Sequence, residues 1–272
     1  MNEQNFEYLK NQLKYTGFGE SLQDQLREKM ESQTEEFSLV HKPAFGDIPV
    51  EVLLQFRKSE QSELYFFNRY LLQLKNEKGT EVFTQSFRIG RDNNITLKEA
   101  FNLMQGRAVH KDLVNREGEK YSAWLQLNFR EVDDSGNFRI KQFHQHYGFD
   151  LEQSLSNYPI VEMEQEESAR FLIRSLQRGN RHQITMRLEG REKKLFIEAS
   201  PQYKSIHVFN EQMLRINLTA SRKTEGSAAS VPPTADQSEM QEKNNHHGEE
   251  EGEDQEAAGS RNRPGRKGRH IA

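Results

Sequence analysis

Three arginines, Arg170, Arg174 and Arg178, recur at intervals of four, and Arg181 and His182 follow beyond a glycine. On a helix that interval sets three guanidinium groups on one stripe, an arrangement able to track a phosphate backbone. The spacing also suits a helix for its own sake. Glu164, Glu166 and Glu167 open it and the arginines close it, which complements the helix dipole, and Glu166 and Arg170 form an i,i+4 ion pair. A second basic group, Arg261, Arg263, Arg266, Lys267 and Arg269, lies near the C-terminus with Gly265 and Gly268 among it. No packing requirement explains that group, so it is a candidate nucleic-acid contact. The same composition also serves as a solubilising end or a partner-docking segment. Bases interleave with aromatics in Phe56-Arg57-Lys58, in Tyr65–Tyr70 and in Phe87-Arg88, as stacking on single-stranded nucleic acid would require. At strand period, however, most of those rings must be core.

Catalysis has no comparable signature. The chain contains neither a Gly-x-Ser-x-Gly elbow nor a phosphate-cradling Gly-x-x-x-x-Gly-Lys-Ser/Thr, and Gly17-Phe18-Gly19 lacks both a preceding strand and a third glycine. His144 and His146 would share a face if a strand ran through them, yet no third metal ligand is indicated. His246-His247 stands beside Glu249–Glu251, which reads as composition. Asp133-Asp134-Ser135-Gly136 lacks the later ligands of a calcium loop and reads as a hairpin turn. No cofactor is expected. With no cysteine, disulfides, thiolate zinc sites, iron–sulfur clusters and thiol nucleophiles are all excluded.

These residues sit in a chain of 272 with 38 basic and 42 acidic side chains and 33% apolar residues. From 220 to 272 only 10 of 53 residues are apolar, too few to offset chain entropy, so a disordered tail is expected. Its charges are sorted into an acidic block, Gly248–Glu256, and the basic block at Arg261–His270. Residues 1–219 carry 30 basic and 32 acidic groups, a balance that marks no obvious polyanion binder. The N-terminus shows no secretory pattern and no window approaches a membrane span, so a cytoplasmic protein without membrane contact is expected.

The apolar spacing of Phe6, Leu9 and Leu13, stopped by Gly17 and Gly19, predicts one helix, and Leu22, Leu26 and Met30 predict a second over 20–33. Alternation through Phe37–Leu39, Val50–Phe56, Leu64–Leu74 and Val82–Ile89, with short connections, predicts a four-stranded antiparallel meander. Thr96 and Glu99 form a capping signature for a short helix ending at Gly106. Strands are expected at 108–115, 121–132 and 138–143, helices at 150–156 and 164–177, then strands at 182–188, 194–199, 205–209 and 213–218. Laying Gly106 over Gly179 aligns a helix with Leu three residues before the glycine, a strand, a glycine turn and a second strand in the same register. A duplication and the common grammar of helix–glycine–hairpin both account for that match.

Several stretches together carry a resemblance: Asn5–Leu13 leading to Gly17-Phe18-Gly19, Tyr65-Phe66-Phe67-Asn68, Gly106–Val109 before Tyr121–Gln126, and Ala199–Lys204. They are similar to proteins borne on conjugative transposons and related mobile elements of gut Bacteroidetes, often encoded near a topoisomerase and mobilisation genes. The similarity spans about 1–218 of this chain. The resemblance implies a genomic setting and raises the expectation of DNA or protein interaction. It carries no assigned activity, so no catalytic residue is transferred.

The sequence therefore predicts an α+β protein in three parts. Residues 1–95 form a helical hairpin and an antiparallel meander, 96–218 form two helix-plus-antiparallel-hairpin units, and 219–272 form a disordered tail. The expected function is that of a non-enzymatic accessory protein of a mobile element, binding a protein partner or nucleic acid. The readings kept beside it are a metal-dependent hydrolase or nuclease with a carboxylate site assembled only in the fold, and an acidic-faced protein inhibitor.

Overall fold

A computed structural model describes residues 1–75 and 82–218. The chain opens with helix α1 (Glu3–Tyr15), whose N-cap Asn2 accepts the amide of Asn5, and α2 (Gln23–Glu31). α2 starts three residues later than its apolar spacing suggests: the chain turns first, with Gln23 N–H donating to Glu20 O (3.2 Å), and Leu22 at the N-cap offers no capping side chain. Phe6, Leu9, Leu13, Leu26 and Met30 are buried along the facing stripes.

Strand β1 (Glu36–His41) is followed by a small hairpin of β2 (Ala44–Phe45) and β3 (Ile48–Pro49), then by β4 (Glu51–Lys58), β5 (Tyr65–Lys75) and β6 (Val82–Arg88). They make an antiparallel sheet in the order β1-β4-β5-β6, the meander read from the sequence with the β2–β3 hairpin at Gly46-Asp47 inserted. A bulge between Gln55 and Phe56 absorbs Asn68 on β5. Next come α3 (Leu97–Met104), β7 (Val109–Val114), β8 (Lys120–Val132) and β9 (Phe138–His144), the strands forming a three-stranded antiparallel sheet in that order. α3 carries the anticipated capping box: Thr96 Oγ1 accepts from the Glu99 amide and the Glu99 carboxylate accepts from the Thr96 amide. Helices α4 (Leu151–Ser156) and α5 (Glu166–Gln177) lead into a third antiparallel sheet of β10 (His182–Leu188), β11 (Arg191–Ser200), β12 (Ser205–Phe209) and β13 (Arg215–Ile216). Among the described residues no helix is long and apolar enough to cross a membrane.

Two apolar clusters hold these layers. One joins α1, α2, the inner face of the first sheet and α3 to Ala123, Leu125 and Leu127 of β8. The other joins α4, α5 and the third sheet to Trp124 of the same strand. β8 thus sends alternate side chains into different cores, as the strict period of a strand allows.

The ends of α3 and α5 match in detail. Gly106 N–H donates to Leu103 O (2.9 Å) and Arg107 N–H to Asn102 O (3.0 Å); Gly179 N–H donates to Leu176 O (2.9 Å) and Asn180 N–H to Ser175 O (3.2 Å). Both glycines have φ +78, the left-handed cap that ends a Schellman turn. The side chain that follows each glycine also bonds to the residue four before that glycine, Arg107 to Asn102 Oδ1 (2.7 Å) and Asn180 to Ser175 Oγ (3.3 Å).

Gly179 has a second duty. A Cβ there would lie 2.8 Å from Val109 Cγ2 and 2.9 Å from Ala108 O, so the cap of α5 presses on the start of β7. Gly136 shares φ +78 but has open space around it. Gly136→Ala is expected to cost about 1 kcal/mol of unfolding free energy from conformation alone, and Gly179→Ala about 3 kcal/mol because backbone must also move. Urea midpoints of the two variants measure the difference, and equal shifts would show that the close contact is absent.

Candidate nucleic-acid interface

The first sheet buries one face and leaves the other open. Phe37, Leu39, Val52, Leu54, Phe56, Tyr65, Phe67, Tyr70, Leu72 and Phe87 point inward and are buried. The aromatics that interleave with bases in sequence are therefore mostly core, as strand period requires, and the bases between them point out. Pairing aligns Ser38, Gln55, Arg69 and Arg88 in one row across the four strands, with Glu36, Arg57 and Phe66 in the next. Arg69 and Arg88 are direct cross-strand neighbours. Two like charges so placed are destabilising. Among the described residues neither has a carboxylate at ion-pair distance. Arg69 is oriented instead by Gln55, whose Oε1 accepts its Nε–H at 2.5 Å.

Arg57 differs from this pair, being held by Glu36 (3.2 Å) and Glu60 (2.7 Å). Phe66 remains 50% exposed on the same face. Ser38, Gln55, Arg57, Asn68, Arg69 and Arg88 help line a shallow depression of about 810 Å³. The face thus offers two unneutralised guanidinium groups, amide and hydroxyl donors, and one exposed ring. Such a set can hold a phosphate and stack a base. The signal for it was present in sequence as the out-facing half of the aromatic–basic alternation. The opposition of Arg69 and Arg88 depends on the register of β5 with β6, which spacing alone does not give.

The arginine stripe of α5 lies where the spacing puts it. Arg170, Arg174 and Arg178 are all on the helix or its cap; Arg170 is 3.5 Å from Glu166, while Arg174 and Arg178 have no carboxylate partner among the described residues. Phe171, 61% exposed, stands beside them with its ring edge-on to His182. The basic residues Arg261, Arg263, Arg266, Lys267 and Arg269 lie outside the described residues, as does His246-His247. β9 ends at His144 and Gln145–Tyr147 turn as a 3-10 helix, so His144 and His146 do not share a strand face. Among the described residues no three His, Asp or Glu side chains gather as a metal site would need. Asp133 closes a hairpin turn by accepting from Ser135 and Asn137 amides.

A second polar group was not foreseen from sequence. Glu198 of β11 is buried, accepts Arg181 Nε–H at 2.7 Å, and has Arg107 Nη1 at 4.0 Å. Arg107 also donates to Asn102, whose amide reaches Arg178 O (2.7 Å) and Asn180 Oδ1 (3.1 Å). Burial brings the Arg107 guanidinium down to about 10, against the pull of Glu198, and its Nε has no hydrogen-bond partner. Beside Glu198, His207 shares a hydrogen bond of 2.9 Å with Ser200 through Nε2. Burial, with Arg215 and Arg181 nearby, holds His207 down to about 4. Ser200 is only 4% exposed, so this pair presents no nucleophile to solvent. Glu198, Arg107 and Asn102 together form a structural lock between the end of α3 and the third sheet.

No protein-family profile matches the chain, and neither a curated protein nor a solved structure matches it. The functional reading rests on the sites themselves.

His207 also fixes a pH dependence. Its folded value of about 4 lies below the ordinary 6.5, so the unfolded chain binds the extra proton between those limits. Stability is complete above about pH 6.5 and falls toward pH 4, by up to roughly 3 kcal/mol from this group. Burial lowers His41, His110 and His182 in the same direction. His207→Gln is expected to flatten the steepest part of a stability-versus-pH curve measured by urea unfolding. An unchanged slope between pH 6.5 and 4 would contradict the assignment.

Proposed function

We propose that the chain is a non-enzymatic accessory protein that binds single-stranded nucleic acid on the open face of its first sheet. The observation that carries this reading is the direct opposition of Arg69 and Arg88, with no carboxylate among the described residues to neutralise either. Their repulsion costs stability in the free protein, and a phosphate seated between them relieves it. Phe66, one row away, supplies a stacking surface for a base. The α5 stripe and the basic block at 261–269 are further phosphate contacts in this proposal. It agrees with the mobile-element setting that the sequence resemblance implies.

The other readings have less behind them. A hydrolase with a carboxylate site has no geometry in its favour among the described residues. An acidic-faced inhibitor fares no better, since Glu3, Glu7, Glu36, Glu51, Glu60 and Glu63 each pair with a lysine or arginine.

Fluorescence anisotropy with a labelled single strand of about a dozen nucleotides, across a salt series, tests the proposal on the full chain. Arg69→Ala/Arg88→Ala is expected to weaken binding and to reduce the slope of log K against log salt by about 1.4, roughly 0.7 for each phosphate that an arginine no longer neutralises. The same variant is expected to unfold at an equal or higher urea concentration, because a like-charge pair is removed. Unchanged affinity and slope would sink the sheet-face site, and a block Arg/Lys→Ser variant of 261–269 would then show whether that block does the binding.

A further inference from the structure

The sheets of this protein have edges, and three of them, at β6, β7 and β10, are plugged. On β6 the Ser86 amide donates to Asn137 Oδ1 (2.8 Å), and Gln85 bonds both the amide and the carbonyl of Phe138. On β7 the carboxamide of Asn93 bonds the amide and carbonyl of Val114, at 2.7 and 2.8 Å. β10 pairs with Ile160, gives its Arg187 amide to Pro159 O, and gives its Thr185 amide to the Glu162 carboxylate. In each case a side chain or a stray segment completes the hydrogen bonds that a neighbouring strand would have made.

β9 is different. It is seven residues long and pairs with β8 on one side; beyond Phe138, whose backbone Gln85 takes, nothing among the described residues bonds its other side. Arg139, Ile140, Lys141 and Gln142 are all exposed, although successive residues point to opposite faces of the sheet. Among the described residues the edge of β9 is taken only at Phe138, so from Arg139 onward its outward amides and carbonyls are open to an added strand. β1, the other long open edge, is covered on one face by α2, buries Phe37 and Leu39, and shows Glu36 on its exposed face.

We propose that the outer edge of β9 is a strand-addition site for an extended acidic segment of a partner protein. Backbone hydrogen bonds supply the attraction and the side chains select the partner. Arg139 and Lys141 project from one face of β9, and among the described residues neither has a carboxylate at ion-pair distance. Carboxylates on alternate residues of an added strand fall opposite them. Ile140, 40% exposed on the other face, offers an apolar contact between. A second copy of this chain fits less well, because antiparallel pairing of two β9 strands about Ile140 sets Arg139 against Lys141 twice. The proposal is independent of the nucleic-acid site.

The test uses the full chain and two labelled peptides of about ten residues, long enough to span β9. One alternates glutamate with valine and threonine, and the other has lysine for each glutamate. Fluorescence anisotropy is expected to show binding of the acidic peptide alone. Hydrogen exchange is expected to show new protection of amides in 139–144 when it binds. Arg139→Glu/Lys141→Glu should weaken the acidic peptide by about tenfold or more and gain affinity for the lysine peptide, a reversal that mere loss of folding does not produce. Absence of binding, equal binding of both peptides, or binding that brings the β9 amides no new protection would each overturn the proposal. So would light scattering that shows a dimer with those amides already protected.

Discussion

The alternation of strand β8 is the constraint on which the remaining structure depends. Ala123, Leu125 and Leu127 enter the core built by α1, α2, α3 and the first sheet, while Trp124 enters the core built by α4, α5 and the third sheet. One strand therefore serves two cores with opposite faces, and a slip of one residue would exchange their contents. The middle sheet has consequently little freedom to carry function on its faces. What it leaves available is the edge at β9, and what the first sheet leaves available is the face turned away from α1, α2 and α3.

The second joint lies where α5 meets the start of β7. Gly179 lets two backbones approach closely, and Asn102 ties Arg178 O and Asn180 to the end of α3. Glu198 then lies between Arg107 and Arg181. Two cations share one buried carboxylate, so desolvation offsets much of the Coulomb attraction and the group adds little net stability. Its effect is on geometry. Any other placement of α3 against β11 would leave Glu198 or Arg107 buried without its partner. The stacking of Arg181 on Phe209 and of Arg107 on Phe101 completes the same fit.

The elements were legible in the sequence because each rests on a local rule. The Thr96–Glu99 capping box, the glycine caps at 106 and 179, and the alternation through Val52–Phe56 and Ala123–Leu127 all took the forms their spacing dictates. The seam was not legible. Nothing local distinguishes Glu198 from an ordinary outward-facing strand residue, and its burial depends on Arg107, ninety-one positions earlier in the chain. The candidate site was half legible. Spacing separates inward rings from outward bases on β4, β5 and β6, but only register shows that Arg69 faces Arg88 while Arg57 faces Glu36. His144 and His146 form a turn pair and not a strand-face pair for a related reason, since a 3-10 turn begins between them.

Charge balance bears on the proposed nucleic-acid site. The chain carries 42 acidic against 38 basic groups, so no broad positive field draws a polyanion from a distance. Many surface bases are also neutralised locally, as Arg57 is by Glu36 and Glu60 and Arg170 by Glu166. Arg69 and Arg88 lack such a neighbour among the described residues and, unlike the other unneutralised cations, face each other directly across two strands. A site of this kind acts at short range, through a few charge-assisted hydrogen bonds and a stacked ring, and it suits a ligand that presents phosphate and base together on a flexible strand. A rigid duplex keeps its bases stacked inside and offers phosphates only, which a pair of arginines beside an exposed phenylalanine exploits less fully. In the proposed reading, the open face therefore takes a single strand in preference to a duplex.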